Sequence, residues 1–396
     1  MEKLKVLHLF QSYLPPTENW CYNLLRHTPG VEVHVFGSRY LKNNFYHPDF
    51  RFVENYYAGL TQMKMDLPAG KIGSYIKLAI LKGTSLLLGN EKQVLRRYVK
   101  DHNIDMVHAH FADVGWRYRF LAASCKIPYV VSFYGWDYEQ LLYLRPRHKR
   151  FFRCLFRLAD AFFCEGPYGA ETLKKHGCPA EKIKIMRLGV EVEMIPFYER
   201  TKKKGELSLV QLATFNEKKG HIYTVKAFEE ALKTCPNMHL TLAGGSGTEK
   251  KKIMDYVTAK GLENRIAILE SIEWTKRHSF LRSFQVFIHP SCYAEDKDCE
   301  GGAPVVLLDA QATGLPVIAT THCDIPMEVV HGSTGLLSPE KDISGLADHI
   351  RQFYAMDQNR YNTFALQARK WVEEEFEVSV NAARAGEYYR QVLQRL

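Results

Sequence analysis

The sequence predicts an α/β fold of two doubly wound domains, and three observations carry that expectation. Short apolar runs bounded by glycine, proline or polar residues alternate with stretches of helical period, the pattern of parallel strands joined by crossover helices. The chain has 396 residues, enough for about two domains that each bury a core. The alternation breaks over Val190 to Gly205, where periodicity fades and the run ends in Lys202-Lys203-Lys204-Gly205. The expected division is a first domain over 1–190, a linker over 191–206, a second domain over 207–375 and a terminal helix over 376–396.

In the first domain, Lys5 to Phe10 and Val31 to Gly37 read as buried strands. The loop Gln11 to Trp20 holds Glu18, and a helix over Asn19 to Arg26 is expected to take Thr17 as its cap. Asp49 to Pro68 has weak pattern, whereas Ile72 to His102 places apolar residues at helical spacing. Asp105 to Phe111 reads DMVHAHF, a strand that sends His108 and His110 to one sheet face. The pair fits metal ligation, a hydrogen-bonded strand end or a substrate cleft, and its spacing supplies no third ligand for a metal. Pro128 to Asp137, PYVVSFYGWD, is β-rich and ends at Gly135. Leu144 to Leu158 interleaves basic and aromatic residues. A helix there gathers Phe151, Phe152, Leu155 and Phe156 on an apolar side, with Lys149, Arg150, Arg153 and Arg157 around it. It is either a solvated amphipathic helix or, over 145–158, a contact for an anionic membrane surface. Asp160 to Glu165 and Lys184 to Gly189 supply two more strands.

The second domain opens with a strand over Leu207 to Thr214, the loop FNEKKGH and a helix over Ile222 to Lys233. Lys218 and Lys219 ahead of a helix suit a phosphate, although a lone K-K-G is most often a turn. His239 to Ala243 is a strand running into Gly244-Gly245-Ser246-Gly247, whose backbone can approach a phosphate or ribose, and a helix follows over Glu249 to Lys260. Arg265 to Leu269 is a strand and Lys276 to Ser283 a short helix. Then comes a βαβ unit: the strand Phe284 to His289 stopped by Pro290, a helix with Pro304 at its start and Gly314 past its end, and the strand Leu315 to Ala319. Its Gly301-Gly302 loop feeds the helix start, where free N–H groups favour an anion or a ligand hydroxyl. Glu300 and Asp309 are either surface acids or acids facing the crevice beyond the strand ends. Helices over Ile343 to Tyr354, Tyr361 to Phe376 and Val378 to Leu396 close the chain.

Composition narrows the functional classes. Hydrophobic residues make up 46% and charged residues 24%, ordinary for a globular protein. No apolar run reaches spanning length, and the amino-terminal MEKLKVLHLF alternates like a strand without a small-residue cleavage site, so neither a membrane span nor a signal peptide is expected. Nine scattered cysteines without a C-x-x-C pair point to reduced thiols in a cytoplasmic setting. The net charge of +9 suits an acidic partner, and no nucleic-acid module is visible.

The run EGGAPVVLLDAQATGLPVIAT from Glu300 to Thr320 resembles the donor-binding motif of the retaining glycosyltransferase family 4, whose GT-B fold has two Rossmann-like domains facing a central cleft. Glu300 and Asp309 match the family's two acids, with one extra residue in the Gly301-Gly302-Ala303 turn and Asp in place of the second Glu. Lys219 matches the lysine that grips the donor diphosphate, Thr214 stands where the family has arginine, and Tyr134 where it has histidine. The glycine turn at Gly245 and the segment with His110 are similar to family segments as well.

The resemblance implies a retaining enzyme that moves a sugar from a UDP or GDP sugar to a glycan or lipid-linked acceptor in bacterial surface polysaccharide assembly. It would work in the cytoplasm or peripherally on the inner face of the plasma membrane. It implies catalytic roles for Glu300, His110, Tyr134 and Asp137, donor contacts from Thr214, Lys218, Lys219, Gly245, Gly301, Gly302, Ala303, Pro304 and Asp309, and an acceptor contact from Glu18. It also implies that the last helix crosses back onto the first domain. No metal or other cofactor is implied, and Asp296-Lys297-Asp298, in a loop, reads as surface acids more readily than as a metal-nucleotide site. A GT-B nucleotide-sugar epimerase and a non-catalytic nucleotide-sugar-binding scaffold are the rival expectations, the latter favoured by Thr214 and Tyr134.

Overall fold

The computed structural model describes residues 2–13, 15, 18–41, 47–53 and 91–395. The cap expected of Thr17, the segment 54–68 and residues 72–90 of the helical stretch expected over 72–102 lie outside them.

Two parallel sheets organise the described residues. The first is built from β1 (Leu4–Phe10), β2 (Val31–Gly37), β3 (Arg51–Phe52), β4 (Met106–His110), β5 (Tyr129–Ser132), β6 (Ala161–Cys164) and β7 (Ile183–Ile185), in the order β3-β2-β1-β4-β5-β6-β7. The second has β8 (Leu207–Leu212), β9 (Met238–Ala243), β10 (Ile266–Leu269), β11 (Val286–His289), β12 (Val317–Thr320) and β13 (Gly335–Ser338), in the order β10-β9-β8-β11-β12-β13. Every residue of β4, β5, β6, β11 and β12 is buried. That is why these segments read as continuous apolar runs instead of alternating ones: helices cover both faces of a parallel sheet. In each sheet the strand order reverses once, between β1 and β4 and between β8 and β11. Ligands of open α/β sheets bind at such reversals, beyond the carboxyl ends of the strands.

The basic segment forms the helix His148–Leu158, which buries Phe152, Leu155 and Phe156 in the first core. Burial of each such side chain is worth about 1.5–3 kcal/mol. Phe151 stacks on Trp116, ring centroids 4.4 Å apart.

The chain crosses between the domains twice, side by side. Val190 N–H donates to Phe376 O (3.0 Å) and Val378 N–H to Val190 O (3.0 Å). The helix Val378–Gln394 then returns to the first domain and buries Ala382, Ala385, Tyr389 and Val392 against Val6, Leu24, Met106 and Phe163. All nine cysteines are free. No helix of the described residues is long and apolar enough to cross a membrane.

Candidate active site at the interdomain cleft

The loops after β8 and β11 flank the reversal of the second sheet, and they bring Lys219 and Glu300 together. Lys219 Nζ donates to Glu300 Oε2 at 2.6 Å, Ser291 Oγ donates to Oε1 at 2.7 Å, and His289 Nε2 stands 3.7 Å from Oε1. The Glu300 side chain is only 5% exposed. Burial alone raises its carboxyl pKa, but Lys219, His289 and Lys218 outweigh it and hold the group well below the usual range, so it is ionised. His322 fixes the loop from behind. Its Nδ1 faces Glu340 Oε1 at 2.7 Å and, because a carboxylate only accepts, carries the proton. Nε2 is then free to accept from the Glu300 N–H at 3.2 Å.

The neighbouring positions are engaged differently. Lys218 Nζ donates to Asp298 Oδ1 and to Cys299 O, both at 3.0 Å, so Asp298 of the D-x-D run is a lysine's partner and Lys218 serves the loop. Thr214 Oγ1 accepts from Asn216 Nδ2 at 3.3 Å. A side chain at Gly245 would meet only Ser271, at ordinary contact distance. Pro304 stands two residues ahead of the helix Val306–Ala312, and its carbonyl accepts from Leu307 N–H at 2.8 Å. Asp309, on that helix and 3% exposed, is held by Arg277 (3.2 and 3.3 Å) and by His278 (2.7 Å). Burial pushes its carboxyl up, and these two partners overcome it to leave a net lowering.

In the first domain three residues expected in the cleft turn inward. His110 is 1% exposed, with Nδ1 on the Tyr134 hydroxyl (2.8 Å) and Nε2 on His8 Nδ1 (3.1 Å). The Tyr134 hydroxyl therefore faces the sheet, and the residue meets the cleft with its backbone. Asp137 is fully buried. Its Oδ2 accepts from Ala112 N–H at 3.0 Å and its Oδ1 from Tyr134 N–H at 3.2 Å, so it ties a turn to a helix start, and burial pushes its pKa up to about 7. The polar side-chain atoms of His110, Tyr134 and Asp137 are thus bonded inside the first domain. The third imidazole that spacing could not supply is His8, paired in register with His108 on β1. Candidate ligand nitrogens of His8, His108 and His110 lie within 4.8 Å of one another. His108 is engaged by Tyr389 and Ser132 (2.7 Å each), and burial holds all three rings below their usual pKa, so they form a neutral hydrogen-bonded cluster. Glu18 precedes the helix Asn19–His27, whose Trp20 packs on the Tyr134 ring at 4.5 Å, and burial raises Glu18 to about 7.

The cleft is closed by direct contact. Gly135 and Gly301 have φ of +96° and +82°, and a Cβ on Gly135 would fall 2.4 Å from Gly301 Cα. Tyr138 Oη donates to Gly301 O at 2.7 Å, and Tyr168 N–H donates to Asp324 Oδ1 at 2.8 Å. Sequence reasoning missed Arg277, His278, Ser291, His322, Tyr138, Glu165 and Asp324. Only the acid at Asp309, which needed a partner once buried, carried a signal that could have pointed to Arg277 and His278.

Two doubly wound domains whose strand ends face one cleft, with a lysine–glutamate ion pair at the second reversal, define the GT-B class. Residues 197–371 match the family model described as Glycosyl transferases group 1, and residues 17–194 match Glycosyltransferase Family 4. The chain belongs to this glycosyltransferase family. Among curated relatives it is 31% identical over 243 residues to the putative colanic acid biosynthesis glycosyltransferase WcaL of Salmonella typhimurium, covering 60% of this chain and 57% of that protein. It is 28% identical over 247 residues to the amylovoran biosynthesis glycosyltransferase AmsK of Erwinia amylovora, covering 62% and 60%. The matched stretches thus span less than two thirds of these relatives' length. Among solved structures, sucrose-phosphate synthase from Thermosynechococcus elongatus superposes with a TM-score of 0.72 at 17% identity over 100% of both chains. Anabaena HepE in complex with UDP and glucose gives 0.70 at 18% identity over 98% of this chain and 99% of that one. At these identities the likeness shows the fold.

Proposed function

We propose that the protein is a retaining glycosyltransferase that moves a sugar from a nucleotide-diphosphate sugar, with UDP or GDP as the nucleotide, to a glycan or lipid-linked acceptor in surface polysaccharide assembly. The observation that supports this most is the Lys219–Glu300 pair at the reversal of the second sheet, in the loop whose Glu300–Gly301 backbone packs on Gly135 across the cleft. A diphosphate arriving there gives Lys219 a second anion, and its ammonium stabilises the charge that grows on the leaving phosphate. Glu300, ionised and released toward the ligand, accepts from a sugar hydroxyl, while the backbone N–H groups of Gly301 to Ala303 donate to others. Asp309 reaches the ribose hydroxyls only beside Arg277 and His278. His110, Tyr134 and Asp137 act as supports that hold the Gly135 turn in place. Closure of Gly135 on Gly301 excludes water, which would otherwise hydrolyse the donor. This scheme draws its charge from side chains and needs no metal. Retention at the sugar carbon rests on the family. The colanic acid and amylovoran biosynthesis glycosyltransferases among its relatives support an exopolysaccharide product. A thermal-shift panel of UDP, GDP, ADP and their sugars tests the reading: one diphosphate should raise the unfolding midpoint, and no shift with any of them would refute it.

The same reading includes work at an anionic membrane surface. Tyr143 and Leu144 are 56% and 57% exposed immediately before the helix His148–Leu158, and Arg145, Arg147, Lys149, Arg150 and Arg153 are exposed beside them. An apolar tip ringed by cations fits anionic headgroups. Salt-sensitive sedimentation with phosphatidylglycerol vesicles is the expected result, and no sedimentation at low salt would end this part of the proposal.

A further inference from the structure

The helix Pro167–Lys175 of the first domain starts beyond the carboxyl end of β6 without a side-chain cap of its own. Gly166 stands at the N-cap position and has no side chain, and Pro167 has no N–H, so Tyr168 carries the first amide that the helix leaves unpaired. The second domain supplies the acceptor. Asp324, in the loop after β12, takes the Tyr168 N–H on its Oδ1 at 2.8 Å. Its carboxyl group lies where a side chain on Gly166 would go, with Cγ 2.4 Å from the would-be Cβ. The Asp324 backbone is tied to the Gly301–Ala303 loop, for its N–H donates to Gly302 O at 3.0 Å. Tyr168 is gripped at its other end as well. Its hydroxyl meets the hydroxyl of Tyr293 of the second domain, and the Tyr293 N–H donates to Glu340 Oε2 at 3.0 Å. Glu340 is the carboxylate behind His322, whose Nε2 accepts from the Glu300 N–H. One residue of the first domain thus reaches Gly302 through Asp324, and Glu300 through Tyr293, Glu340 and His322.

A cap supplied from within a domain stabilises its helix whether the cleft is open or shut. A cap supplied from the facing domain is made only when the cleft is shut, so its free energy is added to closure. Burial pushes the Asp324 carboxyl up to about 6. The contact does not depend on that proton, because the oxygen facing Tyr168 accepts in the ionised and in the protonated form alike. We infer that Asp324 and Tyr168 form an interdomain latch, two positioning residues that couple closure of the cleft to the placing of Glu300 and the Gly301–Ala303 loop. The bearing of the latch on sugar transfer rests on the proposed function, whereas the latch itself does not.

Hydrogen exchange followed by mass spectrometry on the full chain, without ligand, tests it. Asp324→Ala removes the acceptor. Gly166→Ala sets a methyl group against the same carboxyl from the other side, and at φ −160° its backbone is one that alanine adopts freely. In both variants exchange should rise about 2- to 30-fold, the range for a lost helix cap, in residues 134–138 and 299–303, which meet across the cleft. Asp324→Asn keeps an oxygen acceptor and should stay within about threefold of the wild type. A rise confined to the first turn of the helix Pro167–Lys175 in both alanine variants would reduce the contact to a local cap and overturn the latch. Exchange as fast in Asp324→Asn as in Asp324→Ala would overturn the acceptor role of Asp324. Calorimetry of the wild type with UDP and GDP keeps the two readings apart: binding of neither would remove the donor reading and leave the exchange result standing.

Discussion

Gly135 of the first domain and Gly301 of the second meet backbone against backbone, each in the left-handed region, and each leaves no space for a methyl group on the other. The contact joins the turn after β5 to the loop that carries Glu300. Its consequence is that closure of the cleft depends on two residues without side chains. Gly135→Ala should therefore block closure while leaving both cores intact. Turnover is expected to fall at least tenfold with diphosphate affinity changed by less than about threefold, since an alanine at positive φ and in contact adds at least about 1–2 kcal/mol to the closed state alone. Wild-type turnover would show that this contact plays no part in the working state.

Lys219→Ala should weaken diphosphate binding by about tenfold or more, the size of one charge-assisted hydrogen bond. Unchanged affinity in calorimetry would refute its phosphate role. Glu300→Gln should cut turnover strongly and leave the thermal midpoint nearly in place, because Ser291 and the His322 contact to the backbone remain. Full activity in that variant would remove Glu300 from the site.

Arg277 holds the buried Asp309 with two hydrogen bonds and lies over the Trp274 ring at 3.2 Å. Arg277→Ala leaves the carboxylate with His278 alone and is expected to cost about 1–3 kcal/mol in urea denaturation. No change in midpoint would show that the pair contributes nothing to stability.

Asp137 sets a pH dependence whose sign follows from its pKa of about 7 in the folded protein, against about 3.9 in the unfolded chain. Between these values the folded state holds a proton that the unfolded state has lost. Stability from this group is thus intact below about pH 4 and falls as pH rises toward about 7, by up to about 1.4 kcal/mol per unit. Asp137→Asn should flatten that slope between pH 5 and 7, on top of a constant loss from a weakened hydrogen bond. Parallel slopes for variant and wild type would contradict the assignment.

The sequence patterns that survive into the structure are the local ones. The apolar runs at Lys5, Val31, Leu207 and Phe284 become β1, β2, β8 and β11, and Gly314 takes the positive φ that ends a helix. The Glu300 motif sits at the reversal of its sheet. The helix Pro167–Lys175 and the strand β13 at Gly335–Ser338 went unread, since each is short and carries little period. What local pattern cannot supply is direction and partnership. Whether the Tyr134 hydroxyl faces cleft or core depends on a rotamer, and His110 found it from 24 residues away. His8 joins His108 and His110 only because parallel pairing brings β1 beside β4. Lys218 and Asp298, 80 residues apart, look like a phosphate ligand and a metal ligand until the loops place them together. Glu165 carries no sequence signal, for its contact with Gly302 lies across the cleft.

A crystal structure with the intact donor sugar bound tests the central claim most directly. The sugar should lie on Glu300 and the Gly301–Ala303 amides, with the diphosphate on Lys219 and Gly135 closed over it. A donor bound elsewhere, with the Lys219–Glu300 pair unchanged and away from the ligand, would contradict it.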